Sequence, residues 1–220
     1  MALSWKAAAV GERLVNLQWP SSTPLANSCN TANTKEDMYT FDVNGKSWAD
    51  ITGSDSNKPQ QRLGAGMAYD GSDTIYLHGG LQLWGASHDL YSYTISTSTW
   101  TNMTDSVSGG GPQQKVWHSF VYANGNIYSF AGASPYGTGT SNSWPSQDLW
   151  QFNIGSSTWS QISGTMPGYR LQQGMVHANS QGNDYLVLFG GFGFVDYPNS
   201  WTTGYFSDLW IFDITAGVGG

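Results

Sequence analysis

The feature that most constrains this chain is a motif that recurs along it. Four segments align: DMYTFDVNGKSW (37–48), DLYSYTISTSTW (89–100), DLWQFNIGSSTW (148–159) and DLWIFDIT (208–215). Each reads Asp, apolar, aromatic, variable, aromatic, then a polar turn and a Trp, and the last copy stops before its Trp. The Asp residues stand at 37, 89, 148 and 208, which gives intervals of 52, 59 and 60 residues. A second block precedes each copy: GAGMAYDGSDTIYLHGG (64–80), HSFVYANGNIYSFAGA (118–133) and QGMVHANSQGNDYLVLFGG (173–191). A weaker version, SWKAAAVGERLVNLQ (4–18), aligns Trp5 with Trp117 and places the start of the chain inside the first repeat. Self-similarity at such a period means one supersecondary unit per repeat, with neighbours stacked to bury a shared core.

Each unit reads as four short strands, a to d. Tyr39, Phe41 and Val43, or Trp150, Phe152 and Ile154, alternate with period two. NGK, NGN and DGSD are turn sequences for tight hairpins. No stretch carries a long 3.6-residue apolar period. An all-β β-propeller of about four four-stranded blades follows. It forms a single domain over 1–220, with repeats at approximately 4–52, 62–104, 115–163 and 170–215. The last blade lacks its outer strand, so the expected count is 15 strands rather than 16. The expected core includes Ala68, Ile75, Leu77, Phe120, Val121, Ile127, Val176, Leu186 and Leu188.

The pattern resembles the kelch repeat. The small pair after strand b stands as Gly79-Gly80, Ala131-Gly132 and Gly190-Gly191. The strand c aromatic is Tyr39, Tyr91, Trp150 or Trp210, and the following Trp is Trp48, Trp100 or Trp159. The first repeat departs from it, with Gln18-Trp19 in place of Gly-Gly. The resemblance covers nearly the whole chain. It implies a propeller of the galactose-oxidase-like superfamily and, for most such propellers, a non-catalytic scaffold that binds other proteins.

Composition narrows the classes of partner. Charged residues are 10% of the 220 and net charge is −7, against roughly 25% charged in a typical domain. Only 8 Lys and Arg are present, without a run, which argues against a nucleic-acid surface or a basic membrane face. The most apolar stretch, 185–195, is 11 residues long and broken by glycines, too short for a spanning helix of about 20. Cys29 is the only cysteine, so intrachain disulfides and Cys-based zinc sites are excluded. The compartment stays open.

Length is uneven between the two ends of the strands. The a–b and c–d turns are short. The b–c loops run roughly over 19–36, 81–88, 134–147 and 192–207, and the d–a loops, such as 101–115, are also long. Long loops on a rigid scaffold are where binding concentrates. Each b–c loop carries a Trp (Trp19, Trp84, Trp144, Trp201), joined by Tyr136, Tyr197 and Tyr205. These rings either meet a partner or fold back between blades. A cation stands just before strand a in three repeats: Arg62, Lys115 and Arg170, at intervals of 53 and 55. It either converges on an acidic partner or forms a repeated salt bridge to the Asp that opens strand c. Those Asp residues are expected to bond backbone N–H groups. The contact surface is therefore Arg62, Trp84, Lys115, Tyr136, Trp144, Arg170, Tyr197, Trp201 and Tyr205. The unpaired edge at Leu209, Trp210, Ile211 and Phe212 is a template for a partner strand.

Catalytic fingerprints are absent from the sequence: there is no GxSxG, HExxH, P-loop or Rossmann motif. His78, His88, His118 and His177 fall on different elements. A remnant of a copper-radical oxidase would draw on Cys29 and the tyrosines, but no matching local motif occurs. The E-x-x-x-D-x-x-x-H iron pattern of the related plant specifier proteins is not begun by Glu12 or Glu36. The reading is a binding or scaffold module without catalysis, cofactor or metal, acting as a subunit of a larger assembly. It takes a protein partner or a second copy of itself. The alternative is a carbohydrate-binding, lectin-like propeller, suited by Trp- and Asn-rich loops of low charge.

Overall fold

The computed structural model describes residues 9–10, 13–16, 35–135, 143–195, 199 and 202–215. Strands β1 (Ala9–Val10), β2 (Arg13–Asn16), β3 (Tyr39–Asp42) and β4 (Ser47–Asp50) form sheet I. Sheet II contains β5 (Gly66–Tyr69) and β6 (Thr74–His78); after a small ribbon of β7 (Leu81–Gln82) and β8 (Gly85–Ala86) it continues with β9 (Leu90–Thr94) and β10 (Thr99–Asn102). Sheet III repeats the plan: β11 (Ser119–Ala123), β12 (Asn126–Phe130), a ribbon of β13 (Ala133–Pro135) and β14 (Ser143–Pro145), then β15 (Leu149–Asn153) and β16 (Thr158–Ile162). After β17 (Arg170–Leu171), sheet IV is built from β18 (Gly174–Ser180), β19 (Asn183–Phe189) and β22 (Leu209–Asp213). A ribbon of β20 (Phe192–Phe194) and β21 (Thr203–Tyr205) interrupts it. The strands are antiparallel meanders, three sheets of four and one of three. A single 3₁₀ turn, Thr104–Ser106, is the helical element among the described residues. None of those residues forms a helix long and apolar enough to cross a membrane.

The sheets stack on one another, because an alternating strand in the middle of a stack presents one apolar set to each neighbour. Met38 of repeat 1 packs with Ile75, Leu77, Tyr93 and Trp100 of sheet II. The opposite face of sheet II (Ala68, Tyr76, Leu90) packs with Phe120, Ile127, Phe152 and Trp159 of sheet III. The opposite face of sheet III (Tyr128, Phe130, Leu149) packs with Leu186 and Leu188 of sheet IV. The face towards the preceding sheet is termed leading and the other trailing. Most expected core residues are buried, but Val121 is only partly so and Val176 is largely exposed. Val176 lies on the trailing face of sheet IV, cross-strand from Val187 and, through it, Ile211. No described sheet covers that face, so period-two patterning placed Val176 inside when its side of the sheet is bare.

The small pair after strand b has a steric cause. Gly79 and Gly80, Ala131 and Gly132, and Gly190 and Gly191 all have positive φ, the region glycine enters without a Cβ penalty. At the second position space is also lacking: a Cβ on Gly132 would lie 2.8 Å from the Val116 carbonyl oxygen, and one on Gly191 2.9 Å from that of Leu171. The chain turns sharply there and leaves the sheet. The b–c segments of repeats 2 to 4 then fold into two-stranded ribbons rather than irregular loops. The residue after each cation pairs with the first strand of its ribbon: Leu63 with Leu81, Val116 with Ala133, and Leu171 with Phe192. The long segments of both kinds thus meet at one end of the strands.

Candidate functional site: the ribbon face

The three cations lie beneath the ribbons, and their geometry repeats. Arg62 donates from Nη1 to the Gly79 carbonyl at 2.9 Å and reaches Asp89 Oδ2 with Nη2 at 3.4 Å. Lys115 Nζ donates to the Ala131 carbonyl at 2.8 Å, to Ser146 Oγ at 2.9 Å and to Asp148 Oδ1 at 2.6 Å. Arg170 grips the Gly190 carbonyl at 2.9 Å and both oxygens of Asp208 at 2.8 Å, and donates to the Pro167 carbonyl. Each cation therefore satisfies the carbonyl released by the first residue of the small pair, and closes on the Asp opening strand c. The backbone of the same residue belongs to the repeat before: Arg62 N donates to Lys35 O, Gly80 N to Lys115 O and Gly132 N to Arg170 O.

Of the two arrangements weighed for these cations, the salt bridge is the one found. Their side chains are buried and each engages its own repeat, so they do not converge as a free positive rim. Burial opposes the charge on Lys115 and lowers its pKa, while Asp148 works the other way. Burial likewise disfavours the charge on Asp148 and Asp89, yet the hydrogen bonds and cations facing them win, and both carboxyls stay below the ordinary range. The hydrogen bonds from Arg170 hold Asp208 low. The expected role of these Asp residues is corrected in its partners. At Asp89, Asp148 and Asp208 the acceptor bonds come mainly from side chains, with Trp150 and Trp210 donating indole Nε1 to Asp148 and Asp208 at 2.6 Å and Gln82 donating to Asp89, while Asp208 also accepts a backbone hydrogen bond. In repeat 1 the position equivalent to Lys115, two residues before the aligned Trp, is Leu3, so the sequence places no cation at that position.

Above the ion pairs stand the aromatic rings. Trp84 occupies the turn of the β7–β8 ribbon and is 78% exposed, and Tyr205 on β21 is 86% exposed; neither folds back between sheets. Phe192 supports Tyr205 at 5.4 Å between ring centroids. Tyr136, Tyr197 and Trp201 lie outside the described residues, as do Trp19 and Cys29, and of Trp144 only its place in β14 is described. Beside Tyr205 opens a cleft of about 790 Å³ between repeats 3 and 4, bounded by Ser119, Phe120, Gln173, Met175, Phe189 and Tyr205. Gln173 donates Nε2 to the Phe130 carbonyl and leaves its buried Oε1 without a partner. Sequence reasoning missed this cleft because its walls come from segments more than one strand pair apart. No group of three or more His, Cys, Asp or Glu side chains gathers among the described residues.

Stacked antiparallel meanders, small pairs at positive φ and a cation–Asp fastening in successive repeats define a repeat protein in which each unit contacts its neighbours. The KLHDC2/KLHL20/DRC7 Kelch-repeats domain profile matches residues 26–218, and the chain belongs to the kelch-repeat family. It is also similar to an N-(sulfonatooxy)prop-2-enimidothioate sulfolyase from Thlaspi arvense, 28% identical over 127 residues. That match spans 57% of this chain and 36% of the relative, so the chain accounts for about a third of that protein's length.

Proposed function

We propose that this chain is a non-catalytic binding module that works through its ribbon face as part of a larger assembly. In this reading sheets I to IV are successive blades of one propeller domain over 1–220. The observation that carries it is the pair of exposed rings, Trp84 and Tyr205, mounted on ribbons whose bases are fixed by the buried Arg62–Asp89 and Arg170–Asp208 pairs. Exposed aromatics on a pre-ordered support lose little entropy on binding and form the usual anchors of protein recognition. Arg62, Lys115 and Arg170 act by holding the ribbons in place; Trp84, Tyr205 and the ring-bearing segments around Tyr136, Trp144, Tyr197 and Trp201 make the contact. The family supports the binding role, and the sulfolyase activity belongs to the relative that bears that name.

The test is selection of displayed peptides against the intact chain, in parallel with a glycan array. Trp84→Ser and Tyr205→Ser should each weaken the selected ligand at least tenfold while the thermal melt is unchanged. A saturable response to sugars with no selected peptide would replace the protein-binding reading by the lectin-like one. A ribbon face inert to both would overturn the proposal.

A further inference from the structure

Equivalent positions in successive repeats differ sharply in burial at the two ends of the stack. Tyr76, His78 and Leu90 on the trailing face of sheet II are buried, as are their equivalents Tyr128, Phe130 and Leu149 in sheet III. The equivalents in sheet IV, counted back from the small pair and forward from the Asp, are Val187, Phe189 and Leu209. Phe189 is 57% and Leu209 62% exposed, with Ile211 and Val176 open beside them. Leading faces show the same contrast. Trp100 and Trp159 are 6% and 3% exposed, whereas Trp48 at the same position in sheet I is 56% exposed.

The exposed leading face is already in its packed shape. In sheet III, Phe152 and Trp159 stand 5.0 Å apart at 44°, and in sheet II, Tyr93 and Trp100 stand 4.9 Å apart at 50°. Phe41 and Trp48 in sheet I stand 5.0 Å apart at 47°. Between sheets II and III that pair fits a defined socket: Trp159 lies 5.5 Å from His78 and Phe152 6.3 Å from Tyr76, centroid to centroid. The equivalent socket on sheet IV is formed by exposed Phe189 and half-buried Val187, and no described sheet covers it. One chain thus carries an unfilled socket at one end and an unused ring pair of matching form at the other. Trp48 and Phe189 are exposed in the same molecule, with Phe41 and Val187 half-buried beside them, so the ring pair and the socket do not fill each other within it.

We infer that the leading face of sheet I in one copy packs on the trailing face of sheet IV in a second copy. Trp48 then sits against Phe189, and Phe41 against Val187. The contact joins two different surfaces, so it is head-to-tail. Two copies that meet this way twice close on themselves, whereas copies that fail to close continue as a filament. This rests on the sheets being successive blades and names the second copy as one member of the assembly proposed above.

Sedimentation of the full chain tests it, with Trp48→Asp and Leu209→Asp made separately. Both side chains are exposed in the single chain, so folding is retained, which circular dichroism checks; Trp48→Ser and Leu209→Ser form a milder second pair. The wild type should associate, and each variant alone should be monomeric, with affinity for itself at least tenfold weaker. A one-to-one mixture of the two variants should recover dimers, because the tail face of the Trp48→Asp chain and the head face of the Leu209→Asp chain are both intact. A monomeric wild type, a variant that associates like wild type, or a mixture that stays monomeric would each overturn the inference. Trp84→Ser and Tyr205→Ser leave sedimentation unchanged, so a failure here is separate from a failure of the ribbon-face reading.

Discussion

His78 and His118 face each other in the core between sheets II and III, with Nδ1 of the first 3.3 Å from Nε2 of the second. The His78 ring stacks on Phe120 with centroids 5.6 Å apart. One imidazole must donate and the other accept, which requires both to be neutral or one singly charged at a large desolvation cost. Burial, reinforced by the nearby positive charge of Lys115, pushes His78 down to about 3. Burial, then His78 and Lys115, place His118 well below its ordinary value as well. The unfolded chain titrates both near about 6.5. It therefore takes up protons that the folded chain refuses, and stability held above that pH falls as the pH drops towards the folded value. Denaturant melts at pH 7 and pH 5 should show this loss, and His78→Leu combined with His118→Leu should flatten it. A wild-type midpoint unchanged between the two pH values would refute the assignment. The approach of the two rings was not legible in the sequence, since His78 ends a strand b and His118 precedes the strand a of the next repeat.

The edge of sheet IV shows what one strand can reveal. Ile214 N donates to the Asp184 carbonyl, and Gly190 N to the Asp208 carbonyl, so the even-numbered residues of β22 face β19. In an antiparallel pair the N–H groups of the alternating residues then point away. Leu209, Ile211 and Asp213 direct theirs to the open edge. Amide exchange in the monomeric chain should alternate, fast at Leu209, Ile211 and Asp213 and slow at Trp210, Phe212 and Ile214. Uniform rates along 209–214 would show a different register or a partner strand on that edge. This strand and its apolar residues were readable from DLWIFDIT alone, because the alternating aromatics and the repeat spacing both point to it. The ribbons were not: Leu81–Gln82 and Gly85–Ala86 are too short to show any period, and pairing with Leu63 decides their form.

At the scale of the whole molecule, the repeat spacing exposed the stacking order, and the registered cations at 62, 115 and 170 hinted at a shared role. Their direction was hidden, because a spacing of 53 or 55 residues says where a side chain recurs and nothing of which carbonyl it meets. Geometry shows that each cation grips its own repeat by its side chain and the preceding one by its backbone. These fastenings link neighbours only. A chain held together this way, when stretched from its two ends, has no single lock whose failure releases everything. Under force it should give way in steps, each freeing about one repeat. With intervals of 52, 59 and 60 residues and about 3.3–3.6 Å per extended residue, the successive lengthenings should be roughly 170 to 215 Å, and a single-molecule pulling trace with one large rupture instead would contradict this. The same fastenings that hold the ribbons in place make the molecule yield gradually, like a row of separate clasps.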